Sequence, residues 1–108
     1  MKNQRFGIEI EMTGITRAQA ARVIAGYFHT HATAIGGVYD TYTARDGQDR
    51  IWKIVQDTSI SSENESGGSA SARYRVELVS PICVYEDIPV IQDLVRSLRH
   101  AGARVNGS

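Results

Sequence analysis

Apolar and acidic residues alternate near the start of the chain, in the run Phe6-Gly7-Ile8-Glu9-Ile10-Glu11-Met12. Successive side chains of a β-strand point to opposite faces, so this alternation predicts a strand over residues 5–13 with one apolar face. Glu9 and Glu11 would then share the other face, roughly 7 Å apart. Carboxylates at that separation repel each other, and a nearby cation removes the repulsion. The run therefore predicts a strand that carries an acidic, metal-binding pair on its open face.

Length, charge and composition indicate the broad class of protein to which the chain belongs. At 108 residues the chain is predicted to be a single domain. Twelve basic residues balance twelve acidic ones, so charge does not indicate binding to nucleic acid. No apolar run approaches the roughly 20 residues that cross a bilayer, so we expect no membrane partner. The single Cys83 and the lack of an apolar signal segment predict a cytoplasmic protein.

Two helices are predicted from the spacing of apolar residues. The first covers residues 17–29, where Thr16 and Gln19 have the spacing of a capping box. The second covers residues 87–101, with Asp87 as a plausible N-cap and Gly102 as a terminator.

Further strands are predicted over residues 38–44, 50–59 and 74–79, with the start of another at 103–105. Asp46-Gly47 indicates a hairpin between the first two of these. Residues 61–71 are rich in Ser, Gly, Asn and Glu, which predicts a flexible loop. The fold class is therefore α+β, a mainly antiparallel sheet with two helices packed on one face, in the order β-α-β-β-β-α-(β).

Other predicted strands carry further polar residues that could belong to the same site as Glu9 and Glu11. Asp57, Ser59 and Lys53 share one face of the third strand, and Glu77 lies on the fourth. Oxygen ligands from several strands suit Mg²⁺ or Mn²⁺, and these ions bridge phosphate groups. Lys53, Arg73 and Arg75 could hold phosphate or a substrate carboxylate. The alternation also describes an ordinary half-buried strand, and these charged residues could be surface ion pairs.

Three segments together resemble the amidoligase family of carboxylate–amine ligases, which is related to glutamine synthetase and glutamate–cysteine ligase. They are Phe6 to Glu11, Trp52-Lys53-Ile54-Val55-Gln56-Asp57-Thr58-Ser59 and Val76-Glu77-Leu78-Val79-Ser80-Pro81, in that order. The resemblance covers nearly the whole chain. It implies a partial glutamine-synthetase-like catalytic fold and an enzyme that uses ATP and Mg²⁺, or Mn²⁺, to join a small-molecule or peptide carboxylate to an amine through an acyl phosphate.

The resemblance also implies roles for residues. Glu9, Glu11 and Glu77 match the metal-binding acids of the family, and Asp57 and Ser59 match its D-x-S motif. We assign Asp57, Ser59 and Arg75 to catalysis, and Lys53 and Arg73 to binding ATP.

Relatives in the family continue into a Gly-x-His-x-His motif, whereas this sequence ends at Ser108. Residues 1–108 are therefore expected to be the N-terminal portion of an amidoligase-like catalytic domain, inactive alone. Two alternatives stay open. One is a non-catalytic remnant that self-associates as a homo-oligomer through an exposed sheet edge. The other is a simple divalent-metal-binding protein.

Overall fold

A computed structural model describes residues 4–57 and 73–105. The predicted loop over 61–71 and Ser59 lie outside the described residues. The strands are β1 (Glu9–Thr13), β2 (Thr33–Gly36), β3 (Thr41–Arg45), β4 (Ile51–Gln56), β5 (Val76–Val79) and β6 (Arg104–Val105). The helices are α1 (Arg17–Phe28) and α2 (Ile88–His100), and a short 3₁₀ turn, Tyr85–Asp87, precedes α2.

The six strands form one antiparallel sheet in the order β2-β3-β4-β5-β1-β6. The first strand of the chain therefore lies inside the sheet, between two strands from its second half. The predicted α+β class is confirmed. The predicted order of elements was wrong in one respect, because β2 is an additional strand ahead of β3.

Local signals placed the elements well. The capping box at the start of α1 is present, since the Thr16 hydroxyl accepts from the Gln19 amide at 3.1 Å and the Gln19 side chain accepts from the Thr16 amide at 3.0 Å. The predicted strand over 38–44 starts later, at Thr41, because residues 37–40 form a turn. The predicted hairpin at Asp46-Gly47 joins β3 to β4.

The helices cover one face of the sheet and form a core with it. Alternate strand residues face inward, so Met12, Ile54 and Leu78 are fully buried. Helical residues meet them from α1 and α2, chiefly Ile24, Leu94 and Leu98. Trp52 is also completely buried, with its ring 5.7 Å from that of Phe28. Among the described residues, the helices are too short and too polar to cross a membrane.

A buried polar network ties the β3–β4 hairpin to the start of α2. Asp46 accepts four hydrogen bonds of 2.9 Å, from the Gln48 and Arg50 amides, the Arg50 Nε and the Trp52 indole. Arg50 also donates to both carboxylate oxygens of Asp87, at 2.9 and 3.0 Å. Asp87 occupies the N-cap position of α2, as predicted, but its side chain makes no capping hydrogen bond and instead binds Arg50 and the Val84 amide.

Candidate functional site

The face of the sheet opposite the helices carries polar side chains in its central strands. We call it the open face and define it by Glu9, Glu11, Lys53, Val55, Glu77 and Val79, which alternate with the buried residues of β1, β4 and β5. The predicted segregation of Glu9, Glu11, Lys53 and Glu77 to one side is therefore observed. The three acidic side chains come from β1 and β5, which are neighbours in the sheet.

The register arranges the open face in rows across the strands. In one row Glu11 lies directly opposite Glu77, and Val55 of β4 follows on the far side of Glu77. In the adjacent row Glu9 lies opposite Val79, and Lys53 follows. Glu11 and Glu77 thus lie opposite each other on β1 and β5. Lys53 lies two strands away from Glu9, so their backbones are roughly 10 Å apart.

Glu77 responds to this crowding of like charges. Burial and a hydrogen bond with the Glu9 side chain raise the pKa of Glu77 to about 7, and the charges of Glu9, Asp57 and Glu11 act in the same direction. The side chain of Glu77 is therefore close enough to three other carboxylates to be perturbed by each of them. A cation at this position would favour the ionised form of Glu77.

Asp57 and Arg75 lie where β4 ends and β5 is about to begin. Both are buried, with 1% and 7% of their surfaces exposed. The Asp57 amide donates to the Arg75 carbonyl at 3.2 Å, which continues the pairing of these strands by one residue. Arg73, two residues before Arg75, lies in an exposed turn. Of the predicted site residues, Asp57 thus lies next to the glutamates of the open face. Lys53 and Arg73 are exposed, and Ser59 lies outside the described residues.

Arg17 was not singled out from the sequence, although it contacts this region. Its Nε donates to the Asp40 carboxylate at 2.7 Å and its guanidinium donates to the Arg75 carbonyl at 3.0 Å. The first residue of α1 is thereby connected to the turn before β3 and to the backbone next to Asp57. No local pattern could have indicated these contacts, because Arg17 and Arg75 are 58 positions apart in sequence.

An open cleft of about 490 Å³ borders Glu9 where β1 and β5 meet, and is lined by Gly7, Ile8, Glu9, Val79 and Ser80. The Ser80 hydroxyl oxygen accepts from the Ile8 amide at 2.9 Å, and the hydroxyl donates to the Pro81 carbonyl at 2.8 Å. Ser80 therefore joins the chain before β1 to the end of β5 and shapes one wall of the cleft.

A protein-family comparison matches this chain over residues 2–108 to the family described as "Putative amidoligase enzyme". The chain belongs to this family. No curated protein and no solved structure matches it. The segments from which the resemblance was inferred all contribute to the site: β1 supplies Glu9 and Glu11, β4 leads to Asp57, and β5 supplies Glu77.

The chemistry of these acidic side chains bears on whether they suit a divalent cation. The donors are carboxylates, which hard ions such as Mg²⁺ prefer, and burial together with the neighbouring carboxylates raises the pKa of Glu77. Within residues 4–57 and 73–105, no three acidic, histidine or cysteine side chains are arranged as a group that could hold a metal. The donor chemistry therefore suits a cation, while the described residues by themselves do not form a complete set of three ligands.

Proposed function

We propose that this chain contributes acidic residues to the active site of an ATP- and Mg²⁺-dependent carboxylate–amine ligase. Membership of the amidoligase family supports the reaction class. The observation that carries the proposal is the position of Glu11 directly opposite Glu77 on neighbouring strands, with Glu9 and Asp57 close enough for their charges to act on Glu77 as well. Acidic groups that lie close together suit the divalent metal of a metal–nucleotide complex.

The proposed reaction has two steps. A substrate carboxylate attacks the γ-phosphorus of ATP, which releases ADP and forms an acyl phosphate. An amine then attacks the acyl carbon, and an amide forms as phosphate leaves. A cytoplasmic location agrees with the use of ATP and with a single buried cysteine.

Residues of this chain have distinct parts in the proposal. Glu9, Glu11 and Glu77 would hold Mg²⁺, which neutralises phosphate charge when bound. Lys53 is exposed on the open face and would bind a phosphate oxygen. It lies on β4, two strands away from Glu9 on β1. The negative charge of Asp57 raises the pKa of Glu77. Arg75 lies beside Asp57, since its carbonyl accepts a hydrogen bond from the Asp57 amide. Arg17 would position Arg75 through its carbonyl.

Calorimetric titration tests the proposal. Mg²⁺ and ATP are added, separately and together, to the full chain and to Glu9→Gln and Glu11→Gln, which keep side-chain size and remove charge. Glu86→Gln is the matched control, because Glu86 is an exposed glutamate in the 3₁₀ turn. We expect each open-face variant to weaken binding of Mg²⁺ with ATP at least about tenfold, or ~1.4 kcal/mol, and the control to bind as the parent does.

Two results would count against the ligase. Unchanged binding in both open-face variants would exclude the metal role of Glu9 and Glu11. Metal affinity that is lost in those variants but is indifferent to ATP would favour the simpler divalent-metal-binding protein, because a ligase site must couple the two ligands.

A further inference from the structure

A second cleft, of about 420 Å³, lies where the segment after α1 meets β2, β3 and the β3–β4 hairpin. Among the residues that line it are His29, His31, Thr33, Thr43, Arg45 and Asp49. Imidazole, hydroxyl and guanidinium groups all donate hydrogen bonds, and the guanidinium also carries a positive charge. The lining therefore suits a carboxylate, which a guanidinium binds through two parallel hydrogen bonds.

Arg45 has donors available for such a ligand. Its Nη1 donates to the carbonyl of Asp49 at 3.0 Å and to the carboxylate of Asp49 at 3.2 Å. Within residues 4–57 and 73–105, the Nε and Nη2 of Arg45 donate no hydrogen bond. The two acids at the cleft do not prevent binding. Asp46 already accepts four hydrogen bonds, and the side chain of Asp49 is 82% exposed, so that solvent screens its charge.

The second cleft and the cleft beside Glu9 lie at the two ends of one row of the sheet. From edge to centre, the register pairs Thr33 with Thr43, Thr43 with Lys53, Lys53 with Val79, and Val79 with Glu9. Residues paired in register have side chains on the same face, so the two threonines continue the open face across β3 and β2. Glu9 and Val79 line one cleft, the threonines line the other, and Lys53 lies between them.

We propose that the second cleft binds a carboxylate at the far end of an elongated acid, whose reacting carboxylate lies at the glutamates of the open face. This inference rests on the proposed ligase function and specifies its substrate class. Four strand spacings separate Glu9 on β1 from Thr33 on β2, which is roughly 19 Å. An extended peptide of about five or six residues has that length. Arg45 binds the distant carboxylate through its Nε and Nη2, and the hydroxyl of Thr43 lies on the path between the two clefts.

An NMR titration without Mg²⁺ and ATP tests the second cleft by itself. The probe is an acetylated and amidated peptide of one aspartate followed by four alanines, and the same peptide with asparagine lacks the carboxylate. Arg45→Met removes the guanidinium and keeps the length of the side chain. Arg96→Met is the matched control, because Arg96 is also an exposed arginine paired with an aspartate, but it lies on α2 behind the sheet.

We expect the aspartate peptide to shift the backbone amide signals of Thr33, Thr43 and Arg45 until they saturate. Its dissociation constant should rise at least about fivefold in Arg45→Met, because charge-assisted hydrogen bonds are lost, and should be unchanged in Arg96→Met. Equal affinity in the two variants would overturn the proposal. So would equal binding of the asparagine peptide, or an absence of shifts at the cleft.

A second titration, with Mg²⁺ and ATP present, tests the length of the substrate. Two peptides begin with acetylated aspartate and end in a free carboxylate, one after a single alanine and the other after four. We expect the longer peptide to bind at least about fivefold more tightly, and this advantage to disappear in Arg45→Met. Equal affinity for both lengths would overturn the elongated substrate. Failure of the ligase function would appear instead as a lack of Mg²⁺–ATP binding in calorimetry, which would overturn the substrate assignment while the first titration still decides whether the cleft binds a carboxylate.

Discussion

Glu9 and Glu77 share a hydrogen bond between neighbouring strands on the open face. Such a bond requires a proton on one of the two carboxyl groups. Burial and the bond to Glu9 raise the pKa of Glu77 to about 7, so Glu77 carries that proton over most of the acidic range. Below pH 7 the proton on Glu77 therefore removes one negative charge from this group of carboxylates.

The raised pKa of Glu77 predicts how this residue makes the free energy of unfolding depend on pH. The folded state keeps the proton between about pH 4.5 and about 7, while the unfolded chain has lost it. Protonation of Glu77 therefore stabilises the folded state at low pH, and this stabilisation is lost as pH rises through 7. We expect Glu77→Gln to be more stable than the parent above pH 7, by on the order of 1 kcal/mol after solvent screening.

Urea denaturation at a series of pH values measures this effect, with the fluorescence of the sole tryptophan, Trp52, as the probe of unfolding. Glu86→Gln serves as the control, because Glu86 lies outside the open face. If Glu77→Gln had the same pH dependence as the parent between pH 5 and 8, the proposed protonation of Glu77 would be wrong.

Much of the open face was predictable because it rests on local alternation. A period of two fixes which residues share a face wherever a strand forms, so Glu9, Glu11, Lys53 and Glu77 could be grouped from the sequence. The strand order could not be predicted in this way. That β1 lies next to β5, and hence that Glu11 faces Glu77, depends on pairing between residues 66 positions apart.

The paired contacts of Arg50 lead to a second prediction. Its side chain is 24% exposed and binds Asp46 and Asp87, which are 2% and 8% exposed. Replacement by an apolar side chain leaves two buried carboxylates without their cation, which is costly. We expect Arg50→Met to reduce the free energy of unfolding by about 2–4 kcal/mol, measured by urea denaturation at pH 7.

Arg45→Met offers a control within the same hairpin. Arg45 pairs with Asp49 at 3.2 Å, but these side chains are 53% and 82% exposed. Solvent weakens such a pair, so the expected loss is below about 0.5 kcal/mol. Equal losses in the two arginine variants would contradict the structural role assigned to the Arg50 network.

The same network predicts sensitivity to acid. The hydrogen bonds from Arg50 lower the pKa of Asp87, while burial opposes this. Burial also opposes ionisation of Asp46, but its bonds from Trp52, Arg50 and Gln48 outweigh it and lower the pKa. Lowered pKa values stabilise the fold above the unfolded value of 3.8, and this stability is lost as pH falls below it.

We therefore expect stability to fall steeply with pH below about 4, the usual range for Asp, and to fall less steeply in Asp87→Asn, which removes one of the two linked titrations. Thermal unfolding at pH 2.5 to 5 measures the slope. A slope in the variant as steep as in the parent would show that acid unfolding depends on other groups.

Strand β2 and the Arg50 network escaped prediction for related reasons. The residues of β2, Thr33 to Gly36, lack an apolar–polar alternation and end in glycine, so their strand conformation comes from pairing with β3. Asp87 could be assigned to the end of a helix, but its bonds to Arg50 span 37 positions. Local propensity does not encode contacts of that kind, whereas it did encode the capping box of α1.

Gly14 and Gly102 bring the end of β1 against the end of α2, and they lead to the final prediction. Gly14 has φ of +85°, and a Cβ at this position would lie 2.7 Å from the Gly102 carbonyl oxygen. Gly14→Ala therefore combines backbone strain with a clash against backbone that cannot rotate away, and we expect a loss of about 2–4 kcal/mol. Gly26→Ala is the control, because that glycine lies inside α1 with open space around it. Alanine there should stabilise the protein by up to about 1 kcal/mol through helix propensity. Urea denaturation of both variants gives the comparison, and a tolerated Gly14→Ala would show that the close approach of β1 to the end of α2 is not maintained in solution.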